Sequence, residues 1–182
     1  MVNEKQVFII NGKGRVGKDT FVKMVNDYIP TATYSSVDET KYIASLMGWD
    51  GRKDAKSRKF LSDLKQLSSE YNDKPYLDVI ERINFFFNSM YEEDTLLFVH
   101  IREPKEIQRA VDFYDSRDVK INTVLIRNDK LEHVKYGNTA DDNVTNGIDY
   151  DYVVDNSGSL DDLKQMAFIF LDYFNIVPEN NF

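Results

Sequence analysis

The sequence of 182 residues contains no cysteine and only two histidines. Without cysteine the chain forms neither a disulfide nor a thiolate metal site, and two histidines argue against a zinc cluster. A cysteine-free chain also suits a reducing compartment. No apolar run approaches the ~20 residues of a membrane-spanning helix, and residues 1–5 lack the charged-then-apolar plan of a signal peptide. These absences predict a cytoplasmic protein that does not engage a membrane.

Proline and glycine are also scarce, with 4 and 8 residues, while hydrophobic residues make up 42% of the chain. This composition predicts a folded core rather than a disordered chain, and the length fits one domain. Acidic residues outnumber basic ones, which gives a net charge of −8 and a pI near 4.8. Because nonspecific binding to nucleic acid or to membranes depends on a basic surface, we expect neither partner. The sequence leaves a monomer and a homodimer both open.

One stretch, residues 12–20 with the sequence GKGRVGKDT, carries the strongest functional signal. It follows an apolar run at residues 7–10 and precedes a segment that is typical of a helix, residues 20–28. A strand, a glycine-rich turn and a helix in this order are the context of a phosphate-binding loop, or P-loop. Glycine lets backbone N–H groups turn toward phosphate oxygens, and the N-terminus of the helix and the lysine add positive charge. The residues predicted to bind a nucleotide here are Gly12, Gly14, Arg15, Gly17, Lys18, Asp19 and Thr20.

Asp19 departs from the usual P-loop pattern GxxxxGK[ST]. A hydroxyl residue that binds Mg²⁺ normally follows the lysine, whereas here the hydroxyl comes one position later, at Thr20. A carboxylate is also a hard oxygen ligand, so Asp19 can hold Mg²⁺ directly or through water, with Thr20 beside it. Alternatively, Asp19 caps or orients the loop.

Strand and helix patterns alternate along the whole chain. Such alternation requires parallel pairing with right-handed crossovers, which predicts an α/β sandwich of three layers around a five-stranded parallel sheet. Residues 128–146 are polar and irregular, which is typical of a lid or a binding loop. The predicted strands are residues 7–10, 32–37, 95–99, 121–126 and 152–154.

In sheets of this kind, ligands bind beyond the carboxyl ends of the strands, where the P-loop also lies. Two arginines follow strands at this edge, Arg102 after the third strand and Arg127 after the fourth. Guanidinium groups suit phosphate clamping, and phosphoryl transfer depends on positive groups around the migrating phosphoryl. We therefore predict that Lys18, Arg102 and Arg127 are catalytic; the alternative for both arginines is a surface ion pair. Asp38, after the second strand, is either a binding residue or a helix cap.

With these features, the chain resembles the P-loop deoxynucleoside monophosphate kinases, phage enzymes included, and the adenylate kinase-like proteins near them. The run GKDT at residues 17–20 is typical of this group. Residues 48–58 are similar to its helical acceptor region. Residues 100–102, His-Ile-Arg, look like the Asp-Val-Arg segment after its third strand, and residues 151–160 look like its closing strand and loop. The likeness touches most of the chain, and its first and last segments are the specific ones.

The resemblance implies a single P-loop kinase domain over residues 1–182, with the strand order 2-3-1-4-5 and with ATP and Mg²⁺ as cofactors. It also implies a helical acceptor-binding region at about 38–90 and a lid at about 128–146 that closes over the donor. At the position of His100, the resemblance implies an aspartate that positions Mg²⁺ through water. The implied ligands are Asp38, Lys41 and Arg58 for the acceptor, Asn156 and Gly158 for the donor adenine, and Asp19 and Thr20 for Mg²⁺.

Together these features predict an ATP-dependent phosphotransferase whose small-molecule acceptor is a nucleoside or deoxynucleoside monophosphate. Two alternatives stay open. One is a P-loop kinase of a non-nucleotide acceptor, such as dephospho-coenzyme A or a phosphorylated metabolite. The other is a protein that senses ATP or GTP without phosphorylating a small molecule. The base and the sugar of the acceptor, and ATP or GTP as the donor, are also open.

Overall fold

The computed structural model describes residues 4–89, 95–131, 133–134 and 148–178. Its strands form one five-stranded parallel sheet, in which helices lie on both faces. The strands are β1 Gln6–Asn11, β2 Thr31–Ser35, β3 Leu96–His100, β4 Asn122–Arg127 and β5 Tyr152–Asp155. Their order across the sheet is β2-β3-β1-β4-β5, which confirms both the predicted fold and the predicted strand order.

Strand β1 lies at the centre of the sheet, between β3 and β4, and pairs in parallel with both. Its residue Ile10 is level with His100 of β3 and with Val124 of β4. The carboxyl ends of the three strands therefore meet at one edge of the sheet. As a result, the loop that leaves β1 is flanked by the residues that follow β3 and β4.

The described residues contain six α-helices. Helix α1 begins at Lys18, two residues earlier than expected, because Gly17 serves as its N-cap in a left-handed conformation. None of the helices in the described ranges is both long and apolar enough to cross a membrane. The helices are α1 Lys18–Asn26, α2 Asp38–Leu46, α3 Ala55–Asn72, α4 Lys74–Asn88, α5 Pro104–Asp115 and α6 Leu160–Tyr173.

The segment predicted to be a lid begins with a short 3₁₀ turn, Asp129–Leu131. Residues 132 and 135–147, which make up most of that prediction, lie outside the described residues. The lid itself therefore stays a prediction.

Aromatic packing joins α1 and α6 to the sheet. The ring centroid of Phe170 in α6 lies 4.9 Å from that of Phe8 in β1 and 5.4 Å from that of Phe21 in α1. The Phe8 ring also stacks on Phe98 of β3 at 5.3 Å. All four side chains are fully buried. Burial of each aromatic side chain stabilises the fold by about 2–3 kcal/mol. This cluster therefore holds the first turns of α1 against the sheet.

The chain divides into two compact units, one of which is Tyr34–Asn88. This helical unit contains α2, α3 and α4, and Val79, Ile83 and Phe86 of α4 are buried. Helix α3 begins after Asp54, whose carboxylate accepts a hydrogen bond of 2.7 Å from the backbone N–H of Ser57. The unit covers most of the region predicted to bind the acceptor, and that role stays a prediction.

Candidate phosphate-binding site

The loop between β1 and α1 contains three residues in left-handed backbone conformations, Gly12 (φ 147°), Arg15 (φ 64°) and Gly17 (φ 95°). A Cβ on Gly12 would lie 2.3 Å from the carbonyl oxygen of Ile126, and one on Gly17 would lie 2.3 Å from the Nδ2 atom of Asn156. Glycine is therefore required at both positions by backbone conformation and by space. The loop can make both turns because neither position carries a side chain.

The Lys18 ammonium group is folded across this loop. Its Nζ atom donates hydrogen bonds to the carbonyl oxygens of Gly12, at 2.5 Å, and Lys13, at 2.9 Å. Since Lys18 is also the first residue of α1, the ammonium group and the positive end of the helix dipole lie together. Gly17, as N-cap, brings no side chain to cover the first turn of the helix. This arrangement fits an anion such as a phosphate group.

The carboxylate of Asp19 is 97% exposed and lies beside His100, with 3.8 Å between Asp19 Oδ1 and His100 Nδ1. His100 is the last residue of β3. Within the described residues, no group of three His, Asp or Glu side chains is placed to hold a metal ion. An exposed carboxylate beside a phosphate site nevertheless fits Mg²⁺, which is commonly held by one or two carboxylates together with phosphates and water.

The two predicted arginines occupy different surroundings. Arg102 is exposed, two residues past the end of β3, and its carbonyl oxygen accepts a hydrogen bond of 3.2 Å from Asn11 Nδ2. Arg127 is the last residue of β4 and forms an ion pair with Asp155 of 3.4 Å, in which both side chains are about half exposed. The predicted alternative of an ion pair is thus present for Arg127. An exposed pair of this length contributes little, so it does not prevent Arg127 from binding an anion.

The turn that follows β5 contacts the P-loop. Asn156 Nδ2 donates a hydrogen bond of 2.8 Å to the carbonyl oxygen of Val16, and the Asn156 backbone N–H donates one of 2.8 Å to the carbonyl oxygen of Arg127. Asn156 therefore supports the loop directly, and its predicted role near adenine stays a prediction. In the same turn, Ser157 donates two hydrogen bonds to the Asp155 carboxylate, which hold the pKa of Asp155 below its usual value, and Arg127 makes a smaller contribution.

Gly158, also predicted near the adenine, lies at the start of α6. A Cβ there would meet the carboxylate of Asp162 at 2.5 Å. That carboxylate accepts hydrogen bonds from the Ser159 backbone N–H and hydroxyl, which completes a capping box at the N-terminus of α6. The structure thus gives Gly158 a packing reason to be glycine, and its role toward the nucleotide is a proposal.

Asp38, Lys41 and Arg58, the predicted acceptor ligands, all belong to the helical unit. Asp38 is the first residue of α2, and Val37 occupies the N-cap. The Asp38 carboxylate accepts hydrogen bonds from the Ser35 backbone N–H and from Lys41 Nζ, both at 2.9 Å. It therefore ties the end of β2 to the start of α2 from within the helix. Arg58 is exposed in the first turn of α3.

Two residues of the site were missed by the sequence analysis, Asn11 and Tyr150. Asn11 is fully buried at the end of β1 and donates a hydrogen bond of 2.8 Å to the Tyr150 hydroxyl. The only local signal in the sequence is a polar residue that directly precedes the first glycine of the loop and ends an apolar strand. Nothing near Tyr150 in the sequence indicates this contact, since 139 residues separate the pair.

Comparison with known proteins identifies the fold. No protein-family model matches the chain, and no curated protein matches its sequence. Among solved structures, the chain is similar to the tunicamycin resistance protein of Deinococcus radiodurans, with a TM-score of 0.60, 14% identity, and coverage of 98% of this chain and 100% of the other. It is also similar to thymidylate kinase from Candida albicans, with a TM-score of 0.54, 11% identity, and coverage of 96% and 94%. Identities this low show the fold alone, which is that of the P-loop kinases.

Proposed function

We propose that the protein is an ATP-dependent phosphotransferase whose acceptor is a nucleoside or deoxynucleoside monophosphate. The observation that carries this proposal is the P-loop itself. Lys18 folds over the loop carbonyls at the start of α1, at the edge of the sheet where the residues after β3 and β4 also lie. The sheet order that the chain shares with kinase structures supports the phosphotransferase part of this proposal.

In this proposal, the backbone N–H groups of the loop and Lys18 bind the β- and γ-phosphates of ATP. An oxygen of the acceptor phosphate forms a bond to the γ-phosphorus, while the bond from that phosphorus to the β,γ-bridging oxygen breaks. The bridging oxygen leaves as part of ADP. Because an ionised phosphate is the nucleophile, no proton has to be removed from it. Arg102 and Arg127 would stabilise the charge that spreads over the transferring group.

Mg²⁺ fits the exposed carboxylate of Asp19 and the adjacent hydroxyl of Thr20. When bound, the ion neutralises charge on the phosphate oxygens. Most of its remaining ligands would be phosphate oxygens and water, as is usual for this metal.

The charge distribution favours the helical unit as the place for an anionic acceptor. Residues 34–88 contain nine Lys or Arg and nine Asp or Glu side chains, so this unit is neutral. The whole excess of acidic groups, a net −8, therefore lies in the rest of the chain. We propose Lys41 and Arg58 as the cations that meet the acceptor, with Asp38 holding Lys41 in place.

The experiment is an assay of ADP release from Mg-ATP, run with a panel of ribo- and deoxynucleoside monophosphates. Lys18→Ala tests the loop, and Lys23→Ala is the matched control, because it removes the same charge from the exposed side of the same helix. We expect acceptor-dependent turnover that Lys18→Ala abolishes and Lys23→Ala retains. Binding of ATP without turnover of any nucleotide acceptor would overturn the proposal of a nucleotide kinase.

A nucleotide sensor is the second candidate, and the observation that favours it is His100, which places an imidazole rather than a carboxylate at the end of β3. Thermal stabilisation by ligands separates the candidates. A kinase is stabilised by its acceptor as well as by ATP, whereas a sensor responds to the nucleoside triphosphate alone. Dephospho-coenzyme A in the same panel tests a non-nucleotide acceptor.

A further inference from the structure

The side-chain amide of Asn11 connects three different parts of the chain at the base of the P-loop. Its Oδ1 atom accepts a hydrogen bond of 2.7 Å from the backbone N–H of Gly12. Its Nδ2 atom donates to the carbonyl oxygen of Arg102 at 3.2 Å and to the hydroxyl of Tyr150 at 2.8 Å. The Asn11 side chain is completely buried. The first glycine of the loop, the segment after β3 and the residue that precedes β5 by two positions thus meet at one amide.

We propose that Asn11 is a positioning residue of the nucleotide site, which fixes the P-loop relative to Arg102 and Tyr150 and thereby sets the affinity for Mg-ATP. The inference rests on the proposed function, because it assumes that the loop binds a nucleotide.

The orientation of the Asn11 amide follows from its partners. An amide nitrogen has two hydrogens, and here two oxygen acceptors face it, while the amide oxygen faces one N–H donor. If the group were turned over, its oxygen would face the carbonyl of Arg102 and its NH₂ would face the N–H of Gly12. Both contacts would be repulsive, so the network permits one orientation. A buried amide with all of these positions satisfied is rigid, and losing a partner leaves a buried polar group unpaired.

The contact with Gly12 directs the loop. Gly12 adopts φ 147°, and a side chain there would collide with the carbonyl oxygen of Ile126. With its N–H held by Asn11, the first peptide of the loop is bonded inward to the protein. The Lys18 ammonium group bonds to the carbonyl oxygen of the same Gly12. A shift at Asn11 would therefore move both the turn of the loop and the anchor of its lysine.

Tyr150 supplies the third contact as a neutral acceptor. Burial raises the pKa of Tyr150 to about 12, although the hydrogen bond from Asn11 works in the opposite direction. At neutral pH the phenol is therefore protonated, and it adds no negative charge beside a phosphate site. A carboxylate in this place would repel the nucleotide.

The test compares Asn11→Ala, Asn11→Asp and Tyr150→Phe in the full chain, with Asn122→Ala as a matched control. Asn122 is also a buried asparagine of the central sheet, at the first residue of β4, where it is level with Phe8 of β1 rather than with the loop. Calorimetry gives the dissociation constant for Mg-ATP, and denaturant unfolding gives the stability of each variant. A residue that is merely structural lowers stability and the folded fraction without changing the affinity of the folded protein.

We expect Asn11→Ala to weaken Mg-ATP binding by about tenfold or more, and Tyr150→Phe to weaken it by about threefold. Asn11→Asp keeps an oxygen for the Gly12 N–H but loses both donors and adds a negative charge, so its loss should equal or exceed that of Asn11→Ala. Asn122→Ala should bind as the wild type does, whatever its stability. The double variant of Asn11→Ala with Tyr150→Phe should lose less than the sum of the two losses, because the residues share a bond.

The outcomes are distinguishable. If the wild type does not bind Mg-ATP, the proposed function fails. If the wild type binds and the folded Asn11 variants bind as tightly as Asn122→Ala, the inference fails while the proposed function stands. If the Asn11 variants do not fold, Tyr150→Phe decides the question, since it removes one hydroxyl and keeps the ring. Unchanged affinity in that variant would overturn the connection between the loop and Tyr150.

Discussion

Asn156, directly after the last strand, donates a hydrogen bond of 2.8 Å from its side-chain amide to the carbonyl oxygen of Val16 in the P-loop. The next loop residue, Gly17, approaches the same amide so closely that a Cβ would lie 2.3 Å from its nitrogen. Two turns that are 140 residues apart in the chain are thereby held together. The P-loop is thus supported by side-chain amides at both of its ends, Asn11 at the first glycine and Asn156 at the last.

Gly17→Ala tests this close approach. The substitution introduces both a left-handed alanine and a collision with Asn156, so we expect a loss of about 2–4 kcal/mol in the free energy of unfolding and loss of nucleotide binding. Gly48→Ala is the control, because Gly48 has nearly the same φ of 93° and no atom within 4 Å of its Cβ position. It should cost about 1–2 kcal/mol, from backbone strain alone. Equal losses in denaturant unfolding would contradict the role of Asn156.

Arg102 is predicted to act on the transition state, since it is exposed at the edge of the sheet beside the loop. Arg102→Ala should lower kcat by about 10²–10³ and raise the KM for ATP by much less, because the charge it stabilises develops during transfer. Arg102→Lys should recover part of the rate. Arg109→Ala removes an equivalent group from the exposed side of α5, where Arg109 lies 3.7 Å from Glu106, and should leave kcat unchanged. Steady-state kinetics in which both alanine variants behave alike would refute a catalytic Arg102.

Lys74 forms an ion pair with Asp78 one turn further along α4, and Asp78 is only 7% exposed. The hydrogen bond to Asp78 raises the pKa of Lys74. Lys74→Ala would leave a buried carboxylate unpaired, which we expect to cost about 1–3 kcal/mol in unfolding free energy. This loss of unfolding free energy is smaller than the loss expected for a fully buried pair, because Lys74 itself is half exposed.

The control for Lys74 is Lys59→Ala in α3. Lys59 pairs with Asp63 at the same spacing, but both side chains are more than half exposed. This variant should cost less than about 0.5 kcal/mol. If the two variants lose the same stability, burial of Asp78 does not decide the energetics of the pair.

The sequence predicted those parts of the structure that depend on local patterns. The apolar run before Gly12, the glycine spacing of the loop and the alternation of strands with helices are all read within short windows, and they define the fold and the P-loop. The contacts of Asn11 with Tyr150 and of Asn156 with Val16 join residues about 140 positions apart, and a single sequence contains no pattern for such pairs. Asp38 shows a smaller limit. A cap and a first-turn aspartate differ by one position, and the sequence pattern does not distinguish Val37 from Asp38 as the N-cap of α2.

Stability at high pH tests the burial of Tyr150. The pKa of Tyr150 is raised from 10.0 to about 12 in the folded protein, and burial is the cause of this increase. A raised folded-state pKa means that the folded protein holds the proton more tightly, so this contribution to stability is complete below pH 10 and is lost as the pH rises toward 12. The stability advantage of wild type over Tyr150→Phe should therefore shrink by about 1 kcal/mol between pH 8 and pH 11. Between pH 6 and pH 8 the phenol is protonated in both states, so the difference measured by denaturant unfolding should stay constant, which is the internal control. A difference that is the same at pH 8 and pH 11 would show that the Tyr150 hydroxyl is accessible to water in the folded protein.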